Sequence, residues 1–208
     1  MLRQRAQAGD TLIEVLFAFT ILSLIVVGAM SIMNQGTLAS QRSIETTLVR
    51  QEIDSQATSL RFLHDAYIAA YQTNTTYAPD TAAGQWQIMA NSLTATTASP
   101  FDAGSVTCPT PPPGSFIMNG ALAKYVAGSS AMLVPATTYA QLQYDGTNDQ
   151  LLSAQGVWIE GIRSAQSADV NAQNAQFIDF HIRACWENPG RGPVMTIGTI
   201  VRLYEPRG

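Results

Sequence analysis

The chain has 208 residues, 46% of them hydrophobic and only 12% charged, with a formal net charge of -4. That length has room for one compact domain and an appended helix, and it argues against two large domains. So low a charged fraction is unlike a cytosolic protein and fits a membrane segment joined to an exported domain; Lys124 is the only lysine, so the cationic stripe of a general nucleic-acid binder is missing.

The chain opens on a short leader carrying Arg3 and Arg5 and reaching Gly9. No charge then occurs from Val15 to Gln41, and Val15 to Met33 is apolar apart from Thr20, Ser23 and Ser31. As helix this run is about 28 Å long, which matches the hydrocarbon thickness of a bilayer. The arginines ahead of it put its start on the cytoplasmic side, with the rest of the chain exported. Glu14 stands at the edge of the run, where a carboxylate is costly and calls for a partner. A cleaved secretory signal with Val27-Gly28-Ala29 as its site leaves Glu14 unexplained, and so does a plain uncut anchor.

Basic leader, Gly9, then Asp10-Thr11-Leu12-Ile13-Glu14 and an uncharged apolar run together resemble the class III signal of type IV pilins and pseudopilins. The resemblance covers residues 1 to about 40 closely, and the long-helix pattern to about 72 loosely. It implies cutting by a prepilin peptidase between Gly9 and Asp10, which leaves Glu14 as the fifth residue of the product. It further implies that Asp10 and Glu14 serve assembly: the new amine at Asp10 of one subunit meets Glu14 of a neighbour, since two buried charges neutralise each other and set the register. Ala18, Ser23 and Gly28 allow close helix approach. Two features depart from the family pattern. Asp10 stands where Phe or Met is usual, which bears on N-methylation, and the apolar helix lacks the proline of many major pilins. Both favour a minor subunit.

Beyond the membrane the helix is expected to continue to Tyr71 or Gln72. Residues 39 to 72 hold no proline or glycine, and Ile53, Leu60, Leu63, Tyr67 and Ala70 recur at helical spacing. The segment 72–84 supplies turn residues, and the proline-rich stretch 107–115 reads as an extended surface loop. The later segments 115–120, 140–145, 156–164, 176–186 and 194–205 alternate apolar with polar residues and read as antiparallel strands. In 177–184 the residues Ile178, Phe180, Ile182 and Ala184 form an apolar face, with Phe177, Asp179, His181 and Arg183 opposite. Cys108 and Cys185 show no metal-ligand or redox spacing. One disulfide is the simplest reading, with two unpaired buried thiols as the alternative; such a bond persists outside the cytosol.

The expected fold class is therefore α+β: a long N-terminal α-helix, transmembrane in its first half, packed on a C-terminal antiparallel β-sheet, the plan the pilin resemblance also implies. The organisation is a leader at 1–9, a membrane and filament-core helix at 10–36, an amphipathic half at 37–72 and an extracytoplasmic head at 73–208. No enzyme motif is present, no metal or cofactor is expected, and His64, His181, Glu160, Asp179 and Glu187 read as ordinary surface or strand positions. Trp86, Trp158 and Trp186 read as core. The expected function is a structural subunit of a type IV pilus, first a single-pass protein of the cytoplasmic membrane and then part of an extracellular filament, whose partners are the prepilin peptidase, the inner membrane and other pilin subunits. The alternatives are a pseudopilin of a type II secretion or competence system and a membrane-anchored binding domain. A DNA-binding tip subunit is disfavoured, because loss of Arg3 and Arg5 leaves nine basic against fifteen acidic residues.

Overall fold

The computed structural model describes residues 11–73, 77–101, 106–164, 176–188 and 193–206. The chain divides into two compact units, Met1–Ser43 and Ile44–Gly208. In the described part of the first unit there is one element, the opening of helix α1, which spans Thr11–Gln72 in all. It ends where the turn residues begin: Thr73 donates its backbone N–H and its hydroxyl to Ala69 O, closing the last turn.

The second unit is α+β. The later part of α1 and a short helix α2 (Ala82–Ser92) pack on one face of a five-stranded sheet. That sheet consists of β1 (Phe116–Asn119), β2 (Lys124–Ala127), β6 (Val157–Arg163), β7 (Phe177–Trp186) and β8 (Met195–Tyr204). It runs in the order β2-β1-β6-β7-β8 with every pair antiparallel. The long pairing of β7 with β8, from Phe177 opposite Tyr204 to Trp186 opposite Met195, joins two ten-residue runs whose register is held by the apolar side chains they turn into the core.

The helical stripe lies where its spacing places it. Val49, Ile53, Ala57, Leu60 and Leu63 are buried and join Trp86, Phe116, Phe180 and Trp186 in one core. Trp86 and Phe116 both meet Phe180 edge-on, with ring centroids 5.7 and 6.1 Å apart, a favoured aromatic geometry. Each fully buried large apolar side chain here contributes about 1.5 to 3 kcal/mol. Polar groups fix α1 to the sheet at three levels. Trp186 donates its indole N–H to Glu45, the Gln56 amide both donates to Met118 O and accepts from Met118 N, and His64 Nε2 lies 2.9 Å from Tyr204 O.

Four elements go beyond the expected set. One is α2, whose N-terminus is capped by Thr81, the side chain accepting from Gly84 N, and whose Trp86, Met89 and Ala90 face the core. The others are β2, β3 (Leu133–Val134) and β5 (Leu151–Gln155). With β4 (Gln141–Tyr144) the last two form a second, three-stranded sheet in the order β3-β5-β4. There β4 and β5 are antiparallel but β3 and β5 are parallel, beside the expected antiparallel main sheet. Gly156 joins the sheets. At φ +65 it turns the chain from β5 into β6, its N–H donates to Val134 O, and its carbonyl accepts from Cys185 N. A Cβ there would come within 2.2 Å of Cys185 O, so only glycine allows this approach.

Candidate functional site

Glu14 lies in the first turn of the part of α1 that is described. Behind it the apolar side chains are uncovered: Leu12 is 72% exposed, Phe17 68%, Leu24 74% and Met33 71%. The apolar window of this helix has a mean hydropathy of 2.5 and none of it is buried within the chain. Thr20 and Ser23 do not break the apolar surface, because their hydroxyls donate back to Phe17 O and Phe19 O, as a hydroxyl in an apolar medium must. A Cβ at Gly28 would meet nothing within 4 Å, leaving its side of the helix open for close approach. One long apolar helix of this kind is able to span a membrane once. Gly9 and Asp10, the expected cleavage residues, lie outside the described residues.

In the head, Cys108 and Cys185 form a disulfide with Cα atoms 5.6 Å apart. It ties the proline-rich loop to the end of β7. Trp86, Trp158 and Trp186 are all buried, as core residues should be. Two of the strand carboxylates have different surroundings. Asp179 is bound bidentately by Arg202, whose Nε and one Nη each donate at 2.7 Å; these bonds hold the Asp179 pKa below its ordinary value. Glu160 is not the solvated position expected of it. It is 5% exposed, its oxygens accept from the backbone N–H and hydroxyl of Ser99, and Arg183 lies 3.1 Å away.

The sequence reading missed what surrounds this pair. Arg183 stands on the polar side of β7, yet it too is buried. It donates to Ser99 O and its guanidinium lies 5.1 Å from the Phe101 ring centroid, while Phe101 packs edge-on against Trp158. Ser99, Phe101 and Cys108 thus cover the outer face of the two central strands, so that face carries a small core of its own with Trp158, Cys185 and Val194. Trp158 alternating with Glu160 in β6 was the available sign that this side was not simply wet. His181, beside the covered patch, is partly buried; that burial, with the nearby Arg183, lowers its pKa. Both carboxylates are held by arginines, an arrangement for holding strands and loop together and unlike a pair poised for acid–base chemistry. Among the described residues no three His, Cys, Asp or Glu side chains are grouped to hold a metal.

No protein-family model matches the chain, and comparison with curated proteins and with solved structures returns no match either.

Proposed function

We propose that this protein is a structural subunit of a type IV pilus, most simply a minor pilin. In this reading it is made as a precursor in the cytoplasmic membrane, cut after Gly9 by a prepilin peptidase and assembled through its N-terminal helix. One observation carries the reading. Among the described residues Glu14 is the one carboxylate of an apolar helical stretch whose side chains from Leu12 to Met33 are left uncovered by the chain itself. A membrane covers the apolar surface but gives the carboxylate nothing; the helices of neighbouring subunits cover both, because the amine freed at Asp10 supplies the opposite charge. The disulfide-bonded α+β head accords with an exported subunit.

The test is the N-terminus of the protein in sheared cell-surface material, read by mass spectrometry of its leading peptide. The expected start is Asp10, and the mass of that peptide also reports methylation of the amine. A start at Met1 or near Met30 overturns the proposal. Gly9→Ala is expected to leave an uncut, membrane-bound precursor. Glu14→Ala is expected to be cut normally yet to be depleted from filaments, and incorporation at the wild-type level sinks the pairing of Glu14 with Asp10.

A further inference from the structure

Within the second unit, helix α1 turns Val49, Ile53, Ala57, Leu60 and Leu63 into the core and leaves its opposite side in solvent. On that side runs an uncharged stripe in which Ile44 is 58% exposed, Leu48 39% and Phe62 54%. The exposed Gln51, Ser55 and Thr58 lie between them at spacings of three and four. Beside it Arg50, Asp54, Arg61 and Asp65 form a second exposed stripe, because the helical repeat brings all four within about 60° of one another. Among the described residues Arg50, Asp54 and Arg61 make no ion pair, and Asp65 approaches only His64 Nδ1, at 3.5 Å. An arginine four residues ahead of an aspartate is the poorer order for pairing along one helix. These charges are left for a neighbour.

We infer that this surface docks the α1 surface of a second copy of the chain, lying parallel and displaced along the helix by four residues, or about 6 Å. The inference rests on the filament reading above, which puts all copies in one membrane with their helices running the same way. Each aspartate follows an arginine by four positions, so that displacement sets two opposite-charge pairs level: Asp54 with Arg50 of the partner subunit, and Asp65 with the partner's Arg61. No other displacement within the stripe gives two. With none at all like charges face each other, and a shift of eleven brings arginine to arginine and aspartate to aspartate; like-charge juxtaposition is what excludes a wrong register. Four residues also carry the chain about 40° past a full turn, so the aspartates stand on one border of the stripe and the arginines on the other. The two copies therefore use different groups, and because each step advances along the axis the contact repeats as an open array and not a closed ring. The uncharged stripe supplies the apolar area, since ion pairs in solvent hold little by themselves. The same offset of four positions separates Asp10 from Glu14 in the sequence.

The test uses the full chain in the cells that produce it, one population carrying Gln51→Cys and another Ser55→Cys, at exposed, uncharged positions four residues apart. The native cysteines are bonded to each other, so each chain offers one free thiol. A short bis-maleimide is expected to join position 55 of one copy to position 51 of the next at least fivefold more than it joins like positions. Arg50→Asp with Arg61→Asp in both populations makes the stripe wholly acidic and should reduce that link at least fivefold. Adding Asp54→Arg and Asp65→Arg restores the alternation with signs exchanged and should bring the link back, which a merely structural effect would not do. Equal linking of like and unlike positions overturns the inference, as does a link that survives in the acidic stripe or fails to return in the exchanged one. The leading peptide is read from the same cells. A start at Asp10 without the expected link sinks this inference and leaves the filament reading standing, whereas a start at Met1 overturns both.

Discussion

Glu160 and Arg183 lie on neighbouring strands beneath Ser99, and each is buried with the other as its charge partner. Removing one member leaves the other charge buried and unpaired, which costs about 3 to 5 kcal/mol. Glu160→Gln should therefore lower stability by that order in urea unfolding, whereas the double change Glu160→Gln with Arg183→Met should recover much of the loss. A wild-type midpoint in the single variant would mean the pair is not desolvated. Asp179 and His181 make stability depend on pH in the same sense for different reasons. Arg202 depresses the Asp179 pKa, so its contribution is complete above the unfolded carboxylate value of about 4 and is lost as pH falls through the lower folded value. His181 is kept neutral by burial and by Arg183, so the unfolded state takes up its proton first and stability declines as pH falls below about 6.5. Thermal midpoints measured from pH 7 to 3 should fall in both windows, and Arg202→Ala should flatten only the more acid one. At this scale the sequence read correctly that Asp179 and His181 lie on the polar side of a strand. It misplaced Glu160 and Arg183, because whether a polar strand face is wet depends on a loop more than fifty residues away in the chain.

Helix α1 was legible along its length because period and breakers agree. The apolar spacing of Ile53, Leu60 and Leu63 persists without glycine or proline, and the turn residues after Gln72 stop it. What the pattern could not supply is the role of Gln56, a polar residue inside the stripe that is fully buried. Its amide meets both backbone groups of Met118, and β1 pairs with β6 only at Phe116. Gln56→Leu matches the stripe better but should destabilise the head by about 2 to 4 kcal/mol, since it strands a buried N–H and a carbonyl; chemical denaturation decides this, and a neutral effect would mean water replaces the amide. Helix α2 escaped notice because it has only 11 residues, contains Gly84, and follows a stretch of turn formers. Its cap is a modest but testable support: Thr81→Ala should cost about 1 kcal/mol, against about 3 to 5 for Trp86→Ala in the core. The strands β2, β3 and β5 alternate weakly, so their pairing comes from their neighbours more than from their own residues.

Across the molecule, two units meet different demands. The first keeps its apolar surface uncovered, and the second buries its own within a sheet, two helices and a covering loop. The disulfide joins residues 77 apart in sequence, and in the chain-entropy model closing such a loop stabilises the head by about 4 to 5 kcal/mol. Replacing Cys108 and Cys185 by Ala together should lower the melting temperature markedly, and an unchanged midpoint would show that the covering loop holds without the bond. The amino-acid sequence by itself determined the long helix, its apolar opening with Glu14 in it, five of the strand segments and the two cysteines. These are local signals, carried by periodicity, hydropathy and turn residues within a few positions of one another. Only the tertiary structure decided that the outer face of the central strands is covered, that Glu160 and Arg183 form a buried pair, and that β3 runs parallel to β5. Each of these depends on contacts between distant segments, and the free energy of such contacts comes from the shape and solvation of the assembled fold, which no single stretch of residues encodes.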